Sequence, residues 1–378
     1  MKNKKTIIII DIQLYAIYGG GQVISTQLIN GLKKEYNVVY IGNKIESAEK
    51  VYTLDPFNKL FYFLNINKHL LLARGLEKLL FRFKLLSPLI FKKIILSGDV
   101  VISNSVYDFI PIYLSKEFKY NSVIIIKHNP FYNFNSTYPG VLIRNKKYKI
   151  IALNKNEKNK IDSLYGNKNT SLIYNGVDCK SPNKSKVNHS LITDLQNKKI
   201  VVSIGRLSEK QKQFSLGIKA IAELIKRDKN IIYVIIGKGK DENYYKDIIK
   251  KLKIERNVKL LGFVNEDTKN FILSISSALL VTSSKETFGL TMIEGFYFGI
   301  PTISTRTDGA IDIIKDGKNG FFVNPNPEEI SKTIYNVINL PAKDLRLIKK
   351  ICKDTYLKFR SEVMIKNYKK IIRELVNN

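Results

Sequence analysis

Acidic residues are scarce in this chain: 33 Asp and Glu stand against 63 Lys and Arg in 378 residues, a formal charge of +30. Such an excess is unusual for a cytosolic enzyme and, taken alone, points to nucleic acid, an anionic membrane or a phosphorylated substrate. A/T-rich coding accounts for it equally well, because Asn and Ile are abundant alongside Lys. Residues 1–180 hold 27 basic and 12 acidic residues, so the excess is shared evenly between the halves and discriminates little. Cysteine is nearly absent. Cys179 and Cys352 form neither a metal-ligand spacing nor a disulfide framework, which fits a reducing cytosol.

Long apolar runs are missing as well. No stretch reaches the roughly 20 residues needed to cross a bilayer. The opening "MKNKKTIIIIDI" has the basic start of a secretion signal, but Asp11 interrupts the apolar run after five residues and no small-residue cleavage site follows. A buried first strand is expected there, in a cytoplasmic protein whose membrane contact is peripheral. Also absent are Asp-x-Asp, His-x-His and any carboxylate cluster suited to Mg²⁺ or Mn²⁺ on phosphates. No metal and no cofactor are expected.

What the chain does have is short β-branched runs with helical patterns between them. "TIIIID" (6–11), "NVVYIG" (37–42), "DVVIS" (99–103), "SVIIIKH" (122–128) and "KIIAL" (149–153) form one series. "KIVVSIGRL" (199–207), "NIIYVIIGKG" (230–239), "NVKLLGF" (257–263), "ALLVTSS" (278–284) and "PTISTR" (301–306) form a second. The runs do not alternate, which predicts parallel strands buried on both faces. Two such series predict an α/β protein of two Rossmann-like, doubly wound domains. The break is expected in the polar stretch 175–190, giving domains 1–180 and 190–355, and a long basic helix over roughly 343–376 closes the chain.

In folds of this kind the loops after the strands bind ligands. After the first run, Gly19, Gly20 and Gly21 precede a helical pattern; they permit either close backbone approach to a ligand or simply a tight turn, since the spaced dinucleotide fingerprint is absent. "GRLSEKQKQF" crowds Arg206, Lys210 and Lys212 into one loop able to grip a diphosphate, although alone it is equally a solvated basic loop. His128 ends a strand and is an acid/base or phosphate-binding candidate. "SSKETFGLTMIEGF" (283–296) places Glu286 and Glu294 around a helix expected to start near residue 287 or 288 with Thr287 as N-cap, which makes Phe288, Gly289 and Leu290 a phosphate cradle.

Taken together these motifs resemble family 4 of the retaining glycosyltransferases, which have the two-domain GT-B architecture with a central cleft. "SSKETFGLTMIEGFYFGIPTIST" is similar to that family's Glu-x7-Glu region over its whole length, and "GRL", "YNGVD" (174–178), "IIGKG" (235–239), "VKLLGFV" (258–264) and "DGKNGFFVNP" (316–325) follow in the family's order. The resemblance implies a metal-independent retaining hexosyltransferase that takes a nucleotide-sugar donor, a UDP-sugar being favoured. Glu294 would hold the ribose hydroxyls, Glu286 the transferred sugar, and Arg206 with Lys212 the diphosphate. Gly237, Gly262 and Val264 would lie near the base, Gly20 and Gly21 would complete the donor site, and His128 would be placed near sugar and acceptor. It also implies a terminal segment, 356–378, packing back toward the N-terminal domain.

Two positions depart from the family pattern. Its lysine falls five residues after the arginine, where Gln211 stands, so Lys212 fits only a loop longer by one residue and Lys210 is a rival. Asp308-Gly309 with Asp312 replaces the usual Gly-Gly and glutamate. The expected acceptor is a saccharide or polyprenyl-linked saccharide in cell-surface glycan assembly. The segment 57–96 interleaves Leu, Phe and Ile with eight basic residues and one acid, which suits an anionic membrane surface. The alternative is a catalytically inert protein of the same fold that serves another transferase. A nucleic-acid partner is not expected, because no recognition module is present.

Overall fold

The computed structural model describes residues 4–11, 19–42, 50–52, 98–104, 122–126, 148–165 and 167–377. These residues divide into two units, the first comprising 1–176 with 361–378 and the second 177–360.

The first unit is built on a parallel sheet. Its strands are β1 (Thr6–Asp11), β2 (Asn37–Gly42), β3 (Lys50–Tyr52), β4 (Val100–Ser103), β5 (Ser122–Ile126), β6 (Tyr148–Ala152) and β7 (Thr170–Leu172), in the order β3-β2-β1-β4-β5-β6-β7. Ile7, Ile8, Ile9 and Ile10 of β1 are fully buried, the pattern of a central strand in a parallel sheet, whose side chains are buried on both faces. Each such side chain contributes about 1.5–3 kcal/mol when removed from water. Helix α1 (Gly20–Leu32) follows β1, and α2 (Lys155–Tyr165) follows β6.

The second unit repeats the plan. β8 (Lys199–Ile204), β9 (Ile231–Ile236), β10 (Val258–Gly262), β11 (Ala278–Val281), β12 (Thr302–Thr305) and β13 (Gly320–Val323) form a parallel sheet ordered β10-β9-β8-β11-β12-β13. Its helices are α3 (His189–Leu195), α4 (Glu209–Lys212), α5 (Phe214–Leu224), α6 (Glu242–Lys251), α7 (Glu266–Ile275), α8 (Leu290–Tyr297), α9 (Asp308–Ile313), α10 (Pro327–Ile338) and α11 (Ala342–Leu357). The core joins Val201, Tyr233 and Leu280 of the sheet to Phe214, Ile218 and Ile221 of α5 and to Ile330 and Ile334 of α10.

The single closing helix expected over 343–376 is instead two helices, α11 and α12 (Ser361–Asn377). The chain breaks at Lys358–Arg360 because Phe359 is committed elsewhere. Its carbonyl accepts the Val177 N–H at 3.0 Å and its ring stacks edge-on against Phe288 at 5.7 Å. Helix α12 then packs on α1 in the first unit, where a side chain at Gly31 would collide with Ile365, and Glu35 accepts from Lys369 at 2.7 Å and Arg373 at 3.1 Å. Among the described residues no helix is long and apolar enough to cross a membrane.

Candidate functional site

The strand order of the second sheet reverses direction between β8 and β11, its topological switch point, where a sheet of this kind opens a crevice beyond its carboxyl ends. The loops leaving those two strands are bound to one another. Ser284 N–H donates to the Gln211 carbonyl at 2.8 Å, Ser284 Oγ to the Lys210 carbonyl at 3.0 Å, and Thr282 Oγ1 to the Lys212 carbonyl at 2.8 Å. The 205–213 and 282–289 segments therefore form one wall.

Within that wall Lys212 Nζ meets Glu286 Oε2 at 2.6 Å, and Ser283 Oγ reaches the same oxygen at 3.3 Å. Both charged side chains are mostly buried, at 16% and 17% exposure. Gln213 adopts the left-handed conformation (φ 48°, ψ 42°) between the single turn of α4 and the start of α5. That residue turns Lys212 inward, while Lys210 is exposed and contributes its carbonyl to the wall. Gly205 leaves space for the lysine stem: a β-carbon there would lie 3.1 Å from Lys212 Cε.

Helix α8 begins later than the sequence suggests. Thr287 is not its N-cap; Gly289 is, with φ at 98°, and the first helical residue is Leu290. A β-carbon at Gly289 would lie 3.4 Å from Glu286 Cγ and 2.1 Å from Met292 Cε, so only glycine makes this turn without strain. The Met292 N–H turns back to the Gly289 carbonyl at 3.0 Å. The amides of Leu290 and Thr291 precede any intrahelical acceptor and project at the helix's positive end. Gly309 completes the support: its N–H donates to the Glu286 carbonyl at 2.9 Å, and a β-carbon there would lie 2.4 Å from the Phe288 carbonyl oxygen.

Glu294 lies one turn into α8. Helical side chains lean toward the N-terminus, which carries this carboxylate back toward the Leu290 end. Its Oε1 accepts from Lys269 Nζ of α7 at 2.6 Å, and Lys269 also reaches Glu266 Oε1 at 2.9 Å. Burial disfavours the Lys269 charge, but the Glu294 and Glu266 carboxylates outweigh it and hold the ammonium above its ordinary pKa. Cys179 lies against the same group; burial first, then the Glu294 charge, keeps its thiol protonated. The two acidic residues of the motif are thus each paired with a lysine, Glu286 with Lys212 and Glu294 with Lys269, which it shares with Glu266.

The glycines beyond β9 and β10 are needed where backbone touches backbone. Gly237 N–H donates to the Gly262 carbonyl at 2.8 Å, and a side chain at Gly237 (φ 143°) would sit 1.9 Å from the Gly205 carbonyl oxygen. Gly205, Gly237 and Gly262 therefore lie together at the carboxyl ends of β8, β9 and β10, with Val264 half-exposed after the last. Arg206 is exposed and makes no ion pair or hydrogen bond with a described residue. A cavity of about 380 Å³, lined by Tyr297, Phe298 and Tyr356 among others, lies at the opposite end of α8 and is not part of this wall.

Gly20 and Gly21 belong to the first unit, where they open α1; the Gly19 N–H is satisfied by Gln22 Oε1 at 2.8 Å. Its own switch point, between β1 and β4, holds a buried neutral and acidic cluster that the sequence reading missed. Ser25 Oγ donates to Asp11 Oδ2 at 2.7 Å, and Asn104 Nδ2 to Ser25 Oγ at 2.7 Å and to the Gly21 carbonyl at 3.0 Å. Asp11 ends a strand, so a polar residue closing an apolar run was the available signal. Lys269 was missed too, and its position in an ordinary polar helix gives no signal at all. His128 and the basic apolar segment 57–96 lie outside the described residues.

With this geometry in view, residues 190–354 match the model of a family described as glycosyl transferases group 1. An uncharacterised glycosyltransferase of Methanocaldococcus jannaschii is 27% identical over 60% of this chain and 58% of its own length. The alpha-1,3/1,6-mannosyltransferase ALG2 of Dictyostelium discoideum is 27% identical over 47% and 49%. The chain thus spans about half the length of the curated relatives it matches. Among solved structures, Anabaena HepE with UDP and glucose superposes with a TM-score of 0.73 at 18% identity, over 98% of this chain and 100% of that one. The fold is GT-B.

Proposed function

We propose that this chain, whose residues 190–354 match the glycosyl transferases group 1 model, moves a hexosyl group from a nucleotide-diphosphate sugar, with UDP-sugars preferred, to a saccharide or lipid-linked saccharide. The observation that carries the reading is the Lys212–Glu286 pair at the switch point of the second sheet, set against the free amides that open α8. An ammonium and a helix N-terminus suit a diphosphate; a carboxylate beside them suits sugar hydroxyls. The presence of UDP and glucose in a structural neighbour supports the same assignment.

In this reading Lys212 exchanges partners when the donor arrives, from Glu286 to a phosphate oxygen, and Glu286 is released to accept hydroxyls of the sugar. Exposed Arg206 adds a second cation, so charge on the departing diphosphate is neutralised without a metal ion. Glu294 takes the ribose hydroxyls, and the backbone around Gly237, Gly262 and Val264 borders the base. Transfer proceeds with retention: the bond from the anomeric carbon to the diphosphate oxygen breaks, the acceptor oxygen bonds that carbon on the same face, and its proton passes to the departing phosphate oxygen. Gly20, Gly21 and His128 are assigned to the donor sugar and the acceptor. The cytoplasmic side of an anionic membrane in cell-surface glycan assembly is the setting that fits a lipid-linked acceptor.

Calorimetry of the whole chain against UDP-, GDP- and ADP-sugars in EDTA, with Glu294→Ala as control, tests the reading. Binding of one nucleotide class that the variant loses is the expected result. A folded protein that binds none of them would overturn it in favour of the inert alternative.

A further inference from the structure

Lys269 is the one buried cation of the second unit that bridges a mostly buried carboxylate to an exposed one: Lys269 and Glu294 are 14% and 13% exposed, Glu266 65%. An ion pair so placed adds little stability, since desolvation offsets most of the attraction. Its geometric consequence is larger. The ammonium occupies Glu294 Oε1, and Oε2 takes no hydrogen bond from any described residue. Helix α7, which carries the lysine, is itself pinned: Asn265 caps the Thr268 N–H at 2.8 Å, Asn270 Nδ2 donates to the Lys180 carbonyl at 3.2 Å, and Asp267 Oδ1 accepts from the Asn183 N–H at 2.9 Å. The carboxylate is thus held from a rigid element, with one oxygen taken and the other left for a ligand.

We propose that Lys269 is a positioning residue for diol recognition: by holding Glu294 Oε1 it aims the carboxylate's remaining acceptor sites at the two vicinal ribose hydroxyls of the nucleotide. The inference rests on the donor reading above and extends it to a residue outside the Glu-x7-Glu motif. A lysine retained only for packing would affect every nucleotide alike. A lysine that positions Glu294 affects only nucleotides that carry the diol.

The test is calorimetry of the full chain with UDP and with 2′,3′-dideoxy-UDP, for wild type, Lys269→Met and Lys269→Gln. The wild type should favour UDP. Lys269→Met should lose about tenfold in UDP affinity, the equivalent of one good hydrogen bond, while its affinity for the dideoxy form stays unchanged, so the preference collapses. Lys269→Gln, which keeps an N–H donor, should recover part of the preference and carries the same test if the methionine variant fails to fold. An undiminished preference in the variants, or equal loss for both nucleotides, overturns the proposal alone. A wild type that binds neither nucleotide overturns it together with the donor reading.

Discussion

The two sheets share the order of their first six strands, the first adding β7 at one edge, and differ in what they place where that order reverses. In the second, the switch point holds a charged pair, Lys212 with Glu286, reachable from solvent and built on loops that zip together through backbone and hydroxyl contacts. In the first, it holds Asp11, Ser25 and Asn104, at 2%, 0% and 2% exposure, joined side chain to side chain. One topology therefore supports two outcomes. Partly exposed opposite charges can exchange partners with an incoming ligand, whereas a sealed hydrogen-bonded cluster ties β1, α1 and β4 into a fixed end.

The sharpest way to break this contrast is to disable the exchangeable pair. Glu286→Gln should reduce sugar transfer by about a hundredfold or more, the scale on which a single positioned polar group acts at a reacting centre. Lys212→Met should do the same and should also weaken nucleoside-diphosphate binding, while Lys210→Met leaves both near wild type. Steady-state turnover with calorimetry decides it; a full effect from Lys210 and none from Lys212 would reverse the assignment made from Gln213.

The corresponding change in the first unit should act on folding. Asp11→Ala strands the Ser25 hydroxyl in a buried place, for a cost of about 1–3 kcal/mol, read as a lower midpoint in chemical denaturation. Nucleoside-diphosphate affinity of the second unit should persist. If affinity collapsed while stability held, the sealed cluster would be a ligand site after all.

Gln213 tests whether backbone conformation delivers Lys212. A β-branched residue is poorly tolerated in the left-handed region, so Gln213→Val should cost about 1–2 kcal/mol and weaken nucleotide binding. Gln213→Gly should retain both. Thermal denaturation and titration of the two variants side by side separate the outcomes, and equal behaviour would show that the turn is not what aims the lysine.

Much of this architecture was legible because buried parallel strands announce themselves as unbroken β-branched runs, from Thr6–Asp11 to Thr302–Thr305. The strands that escaped, Lys50–Tyr52, Thr170–Leu172 and Gly320–Val323, are short and lie at sheet edges, where one neighbour suffices and no long run is required. The break between α11 and α12 has no proline or glycine to mark it; it comes from Phe359 engaging Phe288 and Val177, distant partners that local pattern cannot reveal. At the site, Lys212 is set apart from its rival Lys210 only by the family resemblance, whereas Glu286 and Gly289 could be singled out from position and residue type. Lys269 could not, because a lysine in a polar helix has the same local signature whether it is solvated or locked onto a carboxylate.

Acid titration should separate the units least but still measurably. Glu35 of the first unit is held below its ordinary value of 4.5 mainly by the hydrogen bond from Lys369, helped by Arg373. Asp228 of the second is held below 3.8, chiefly by Lys199. For a carboxylate whose folded pKa is depressed, the stabilisation is complete above the unfolded value and is lost as pH falls through the folded one. Both contributions should therefore be present at neutral pH and fade in acid, Glu35 below about pH 4.5 and Asp228 somewhat lower. The consequences differ because Glu35 and Arg373 are 338 positions apart, so their pair closes nearly the whole chain, whereas Asp228 and Lys199 are 29 apart. Acidification, or Glu35→Gln at neutral pH, should raise hydrogen exchange in α12 over 361–377 with little change elsewhere. Asp228→Asn should give only a small uniform shift in melting temperature. Unchanged exchange in α12 would mean that Ile365 against Gly31 holds the helix without the ion pairs.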